Sequence, residues 1–474
     1  PKTDDRFKFD TPEVRATVKA IFQAHKFVRE SGALPESAAP FGILLDRTNM
    51  YAEAGGQQAD TGSLVIDGQA AFEVTDVQVA NGYVLHTGFL KEGALQVGDE
   101  VVSTYDESRR RPLRNNHTGT HILNFGLREV LGDHVDQKGS LVAPAKLRFD
   151  FSHKAALTLD ELREIERISN EFIARNVPVY GKELDLNAAY KIPGLRAVFG
   201  EAYPNPVRVV SLEFDVEEIA KDLENPKWRR TSIEFCGGTH VARTGVISQL
   251  VVTEEGGIAK GIRRVVAVTG DEATAVSEAA DKAAARLEEI DRVADQAAKD
   301  AQLKAFSVEL ARLDISVLRK EEIKQRFSKI RKALDTQLKA RSAAEVKAAQ
   351  EAVTKYFEEH PEAPVYITKL DVDANNKALQ SGIAAAKKLG KPVYLFAQDK
   401  SGADPCKTLY SNYVPEAAQQ RGLNAVEWNR GISEMLHGRG GGKPDGAQGV
   451  GEAPRSAVDD AMKLAEELFR MKIQ

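Results

Sequence analysis

Asn116-His117-Thr118-Gly119-Thr120-His121 opens a run that continues Ile-Leu-Asn-Phe-Gly-Leu-Arg-Glu-Val-Leu to Leu131. Apolar side chains recur every three or four positions behind Pro112, so the spacing predicts a helix from about Asn116 to Leu131. Residues four apart share a helical face, and the imidazoles of His117 and His121 can therefore address one point. A second window, Cys236-Gly237-Gly238-Thr239-His240, lets two glycines fold the backbone tightly and bring a thiolate beside an imidazole. Three of the nine histidines and one of the two cysteines fall in these two windows. Sulfur and nitrogen donors, four in all, suit Zn²⁺ in tetrahedral geometry. Four protein ligands would close the shell as structural zinc sites do, whereas catalytic zinc keeps a position open; the spacing leaves that choice open.

Working outward from that helix, the texture changes several times. Residues up to about Glu30 read as a helix, with Val14, Val18, Ile21 and Phe22 at helical spacing. From Gly42 to about Tyr105, short β-prone runs alternate with Gly, Asn and Asp turns, which predicts a small β-barrel or sandwich. Downstream come a strand (Leu147 to Phe151), an acidic helix (Leu159 to Arg175) and further strands around Val207 to Val210 and Val265 to Val268. No Gly occurs between Gly270 and Gly382, and no Pro between Pro226 and Pro361. That window predicts long helices, best arranged as a hairpin or coiled coil turning near Ala305 to Ile315, because one unbroken helix would reach ~120 Å. Beyond Pro361, strand, helix and strand alternate, followed by a Gly-rich loop and a final helix from about Ala457. The expected fold class is multidomain α+β. A small β-barrel within 1–112 precedes a zinc-containing α+β core at 113–270, a helical linker at 271–360 and a small α/β domain at 361–474.

Composition narrows the class. The chain has 474 residues, 42% of them hydrophobic and 28% charged, with a net charge of −5. No stretch reaches the roughly 20 apolar residues that span a bilayer, and no signal peptide opens the chain, so no membrane partner is expected. The absence of an initiator Met suggests a fragment or a processed product. Two cysteines cannot make a disulfide framework and fit a reducing compartment. Nucleic-acid contact would have to come from local basic runs: Arg109-Arg110-Arg111 with Arg114, Lys227 with Arg229-Arg230, and Lys260 with Arg263-Arg264.

The two windows, together with Asp136-Gln137-Lys138-Gly139-Ser140 and Leu147-Arg148-Phe149-Asp150-Phe151, resemble the editing domain of alanyl-tRNA synthetases and their free-standing AlaX relatives. Tyr51-Ala52-Glu53-Ala54-Gly55-Gly56-Gln57-Gln58 looks like the Gly-rich motif of that family. Gly438-Arg439-Gly440-Gly441-Gly442-Lys443-Pro444-Asp445 resembles the C-terminal domain of the same synthetases, related to the DHHA1 module of certain phosphoesterases. The segments Phe27 to Glu30 and Arg109 to Pro112 look most like eukaryotic members. No class II signature for ATP binding is evident, so the resemblance places the aminoacylation half upstream, outside this chain.

The resemblance implies zinc-dependent hydrolysis of the ester that links serine or glycine to the tRNA for alanine. His117, His121, Cys236 and His240 would ligate Zn²⁺, Gln137 would orient the ester or water, and Thr118 and Thr120 could read the serine hydroxyl. Arg148 could meet phosphate or pair with Asp150. Arg439 and Lys443 with Gly440, Gly441 and Gly442 could bind the tRNA through backbone N–H groups and charge. Pro444 stands where a P-loop needs Ser or Thr, so that motif is excluded. The C-terminal region could support a homodimer, and the expected compartment is the cytoplasm, with a mitochondrial form possible. Competing readings are a free-standing long AlaX-type deacylase and a zinc-stabilised tRNA-binding module without activity.

Overall fold

The computed structural model describes residues 2–31, 40–198 and 200–473. The chain divides into two compact units, Pro1–Arg286 with Glu309–Lys324, and Leu287–Val308 with Gln325–Gln474.

The first unit begins with seven strands: β1 (Glu13–Gln23), β2 (Lys26–Val28), β3 (Phe41–Leu45), β4 (Gly62–Ile66), β5 (Ala70–Ala80), β6 (Tyr83–Glu92) and β7 (Glu100–Tyr105). They run in the order β2-β1-β3-β6-β5-β4-β7, and a further β1–β7 pairing closes six of them into a barrel, while β2 only extends β1 as a hairpin. Closure leaves the six strands no open edge. Val18, Ile43, Leu64, Phe72, Val77 and Val101 fill the interior. The helix expected before Glu30 is thus a strand. The register of β1 on β3 shifts between Val18 and Ala20. This bulge changes the parity of the strand, so Val18 and Ile21 both point inward and their spacing imitates a helical face.

Next come α1 (Glu107–Leu131), β8 (Gln137–Val142), β9 (Leu147–Ser152), α2 (Leu159–Ala174), β10 (Val179–Leu184), α3 (Leu186–Ala189), β11 (Val207–Leu212), α4 (Val216–Lys221), β12 (Ile233–Phe235), β13 (Leu250–Ala259) and β14 (Ile262–Thr269). Asp106 caps α1 by accepting from Ser108 N, and Pro112 lies inside the helix rather than ahead of it. Every residue from Asn115 to Arg128 is buried, so α1 is a central core helix. It packs on α2 and on an antiparallel sheet of order β13-β14-β9-β8. A second sheet, β10-β11-β12, carries its own core around the fully buried Trp228.

The helical stretch consists of α5 (Gly270–Asp291), α6 (Gln296–Arg312) and α7 (Val317–Glu359). Within the second unit, Glu288 pairs with Arg326 at 2.7 Å and Phe306 stacks on Phe327. The remaining elements are β15 (Tyr366–Lys369), α8 (Asn376–Leu389), β16 (Val393–Gln398), β17 (Cys406–Tyr413), α9 (Glu416–Gln420), α10 (Ala425–Met435), β18 (Arg439–Lys443), β19 (Gly446–Ala453) and α11 (Ala457–Ile473). They form a five-stranded sheet, β15-β16-β17-β19-β18, with Trp428 in its core. The Gly-rich loop expected at Gly438 to Gly451 is therefore a β-hairpin, with Gly440 paired to Gly449. Its glycines answer a packing need. A Cβ on Gly449 would lie 2.4 Å from the Tyr410 ring, and one on Gly442 would lie 2.3 Å from Gly446 O.

Candidate metal centre and its cavity

Helix α1 presents His117 and His121 one turn apart, and the loop after β12 presents Cys236 and His240. Their four donor atoms all lie within 4.8 Å of one another. Cys236 Sγ stands 3.3 Å from His117 Nε2 and 3.3 Å from His240 Nε2. A tetrahedral set with bonds of about 2.0–2.3 Å has edges of about 3.3–3.6 Å, so the cluster could hold a metal ion with small adjustment.

Two of the imidazoles are hydrogen-bonded through their other nitrogen, and a carboxylate stands beside that of the third. His117 Nδ1 lies 2.7 Å from Gln57 Oε1, His240 Nδ1 lies 3.1 Å from Thr118 Oγ1, and His121 Nδ1 stands 3.0 Å from Glu234 Oε2. Gln57 is itself held by Thr239, accepting from its backbone N at 3.0 Å and donating to its Oγ1 at 2.8 Å. Such partners fix the ring orientation and leave Nε2 toward the common point, as metal sites require.

Cys236, His240 and His121 differ in their electrostatics. Burial opposes the thiolate of Cys236, but the three surrounding imidazoles outweigh it and hold the thiol well below its ordinary range. Burial drives His240 down to about 3, the neutral form that ligates a metal. Burial also opposes a proton on His121, but the Glu234 carboxylate and the Cys236 thiolate override it and lift this group to about 10.

Cys236, His117 and His121 face a cavity of about 620 Å³. Gln137, Thr120, Gly55, Gly56, Tyr51 and Arg208 are among its other walls. The Gly55-Gly56 wall is fixed to β8, because Val142 N donates to Gly56 O at 2.7 Å and Gln58 N donates to Val142 O at 3.0 Å.

The residues singled out in the sequence are distributed as follows. Gln137 Nε2 donates to Ser140 Oγ at 3.1 Å on the cavity wall. Thr120 also faces the cavity, with its hydroxyl turned back onto Asn116 O at 2.8 Å. Thr118 is fully buried; it braces His240 and accepts from Val241 N at 3.2 Å. Arg148 Nε lies 3.6 Å from Asp150, whose carboxylate already takes two bonds from Arg264 at 2.7 and 2.8 Å. Arg439, Gly440, Gly441, Gly442 and Lys443 form an exposed edge strand of the second unit.

Several basic runs turn out to be paired internally. Arg110 is fully buried against Asp60, donating from Nε to Oδ1 at 2.8 Å, and its Nη1 donates to Lys8 O at 2.7 Å. Arg114 pairs with Glu107, Lys227 with Glu218 and Arg263 with Glu255. Glu234 was not singled out in the sequence, and Arg208 and Gln57 lie in stretches that were, a strand and a Gly-rich motif, without a role of their own. Glu234 carried one signal, its place two residues before Cys236.

Four known family models match separate stretches of the chain, and none of them spans residues 110–206. The model described as "tRNA synthetases class II (A)" matches residues 1–109, and "Threonyl and Alanyl tRNA synthetase second additional domain" matches 207–266. "Alanine--tRNA ligase domain" matches 273–337, and "DHHA1 domain" matches 362–471. The alanine–tRNA ligase of Candida albicans is 46% identical over all of this chain and 48% of its own length. The mitochondrial alanine–tRNA ligase of Saccharomyces cerevisiae is 45% identical over all of this chain and 48% of its own length. A crystal structure of the C-Ala domain from Aquifex aeolicus alanyl-tRNA synthetase aligns with 23% of this chain and 91% of its own, at 24% identity and a TM-score of 0.18. No described helix is long and apolar enough to cross a membrane. With relatives matched along its whole length, and spanning about half of theirs, the chain belongs to the alanine–tRNA ligase family.

Proposed function

We propose that the first unit hydrolyses the ester of tRNA for alanine wrongly charged with serine or glycine, and that the second unit contributes tRNA binding. The observation that carries this reading is the cavity of about 620 Å³ whose lining brings three of the four candidate ligands together with Gln137 and Thr120. His117, His121, Cys236 and His240 would hold Zn²⁺, which when bound supplies a Lewis-acidic anchor for the ester or the terminal ribose. Gln137 can both donate and accept, so it can orient the ester carbonyl or the attacking water. Thr120 Oγ1 keeps acceptor capacity while donating to Asn116 O, which suits it to a serine hydroxyl at the wall. Thr118 acts one step back, by holding His240 in place.

The need for such a site is energetic. A pocket sized for a methyl group gains only about 1–3 kcal/mol against glycine. A second site that hydrogen-bonds the serine hydroxyl leaves polar groups unpaired when alanine enters. In the second unit, Arg439 and Lys443 on the exposed β18 edge offer charge and backbone N–H groups to phosphate. The names of the relatives are consistent with a cytoplasmic or mitochondrial home.

The test is hydrolysis of Ser-tRNA and Ala-tRNA, both on the alanine tRNA, by this chain and by Cys236→Ala. Serine alone should be lost, and the variant should not release it. The four-residue donor set supports a second reading, a closed structural zinc in a tRNA-binding module. Intact tRNA binding with no loss of serine would favour that module and end the hydrolase reading.

A further inference from the structure

Arg208 projects from β11 toward the loop that carries Cys236 and His240. Its Nη1 donates to Cys236 O at 2.8 Å and to Gly238 O at 3.1 Å. The Phe9 ring covers the guanidinium, with Cζ 4.0 Å from the ring centroid. No carboxylate of the described residues comes within ion-pair distance of it. This sets Arg208 apart from Arg110, whose charge is matched by Asp60, and from Arg264, matched by Asp150. On the facing strand, Gly181 pairs with Val210, and a Cβ there would fall 2.5 Å from Arg208 Nη2. Glycine is disfavoured in a strand interior, so this position gives up strand propensity to seat the guanidinium. Arg208 also lines the main cavity and a second recess of about 300 Å³ that reaches His240 from behind.

We infer that Arg208 is a positioning residue that clamps the Cys236-Gly237-Gly238 turn by its carbonyls, so that Sγ and the His240 ring meet His117 and His121 at ligating distance. One nitrogen, Nη1, donates to both carbonyls, and the planar guanidinium keeps it aimed at them by stacking on the Phe9 ring, an orientation that a lysine ammonium on a flexible stem does not reproduce. The guanidinium makes no ion pair among the described residues and lies beside the thiolate-bearing turn, where it offsets the negative charge of that ligand, while Asp10 and Glu183 act on it from beyond ion-pair distance. This inference rests on the metal-site reading above, and the experiment separates the two.

Zinc affinity is measured by competition with a chromophoric chelator, and the cobalt(II)-loaded protein is examined in the visible d–d region, for the wild-type chain, Arg208→Gln, Arg208→Lys and Gly181→Ala. Arg208→Gln should bind zinc at least tenfold more weakly and change the cobalt spectrum, with circular dichroism unaltered. Arg208→Lys should lose several-fold despite keeping the charge, and Gly181→Ala should shift in the same direction by displacing Nη2. A merely structural role would lower the unfolding midpoint and leave the cobalt spectrum alone. If Arg208→Gln does not fold, the other two variants decide: wild-type zinc affinity and cobalt spectra in both would overturn the proposal. Failure of the wild-type chain to bind zinc would instead overturn the metal-site reading itself.

Discussion

Gly238→Ala tests the cluster most directly, because the added atom has one place to go. An ideal Cβ there would lie 2.0 Å from His117 Cε1, 2.3 Å from its Nδ1 and 2.9 Å from Gln57 Oε1. Gly238 does not occupy the left-handed region, so the substitution adds a steric clash and no backbone strain. Carbon contacts settle at about 3.5 Å, so the ring or the turn must move by more than 1 Å. Metal bond lengths tolerate only about 0.2 Å, and His117 would be lost as a ligand together with its grip on Gln57. Structural zinc binding is worth about 10–16 kcal/mol over four ligands, or about 2.5–4 kcal/mol for one. Zinc affinity should therefore fall by about 10²–10³-fold. Chelator competition at neutral pH reads the affinity, and Trp228 emission in a Trp428→Phe background confirms that the first unit stays folded. Zinc affinity within threefold of wild type in the folded variant would refute the geometry given for His117.

Two further outcomes concern the same unit. Asp60→Ala leaves Arg110 charged and fully buried and deprives Tyr51 N of its acceptor at 2.6 Å, so about 3–5 kcal/mol should be lost. In a Trp428→Phe background, Trp228 would report a urea midpoint lower by about 1 M or more, and a shift below about 0.3 M would contradict the burial of that pair. Burial pushes the Glu166 carboxyl up to about 7, with one oxygen lacking a partner. A raised carboxyl holds its proton more tightly when folded, so its contribution is present at low pH and declines as pH rises from about 4.5 through about 7. Glu166→Gln should consequently be more stable than wild type by about 1–3 kcal/mol at pH 8, with the gap closing toward pH 5; a pH-independent difference would count against the burial argument.

What was legible in the chain follows from where the causes lie. The two ligand windows could be read because each is local: His117 and His121 share a helix face, and two glycines shape the turn before His240. The closed barrel was only partly legible, since alternation marked β3 to β7 while a bulge hid β1. The pairing inside the basic runs was legible where the partner is near, as for Arg114 with Glu107, and illegible where it is remote. Arg110 meets Asp60 fifty positions away, and Arg264 meets Asp150 at a separation of 114. The Gly-rich hairpin misled for the same reason, as its glycines answer to the Tyr410 ring and to neighbouring backbone rather than to a loop conformation.

The same distinction bears on how the metal centre forms. Ligand identity is written locally, but ligand orientation is not. Gln57 comes from the loop between β3 and β4, Thr118 from α1 and Glu234 from β12, and each orients one imidazole. Arg110 anchors the first turns of α1 into the barrel, seven residues ahead of His117, a rise of about 10 Å. Holding the barrel in place therefore holds the helix that presents both α1 ligands. An isolated fragment beginning at α1 would keep all four ligands and lose Gln57, Asp60 and their constraints. Because the donors and the groups that orient them come together only when the barrel, α1 and β12 are assembled, metal bound there would favour the assembled state over the unfolded one, and the free energy of binding would appear as stability of the whole unit.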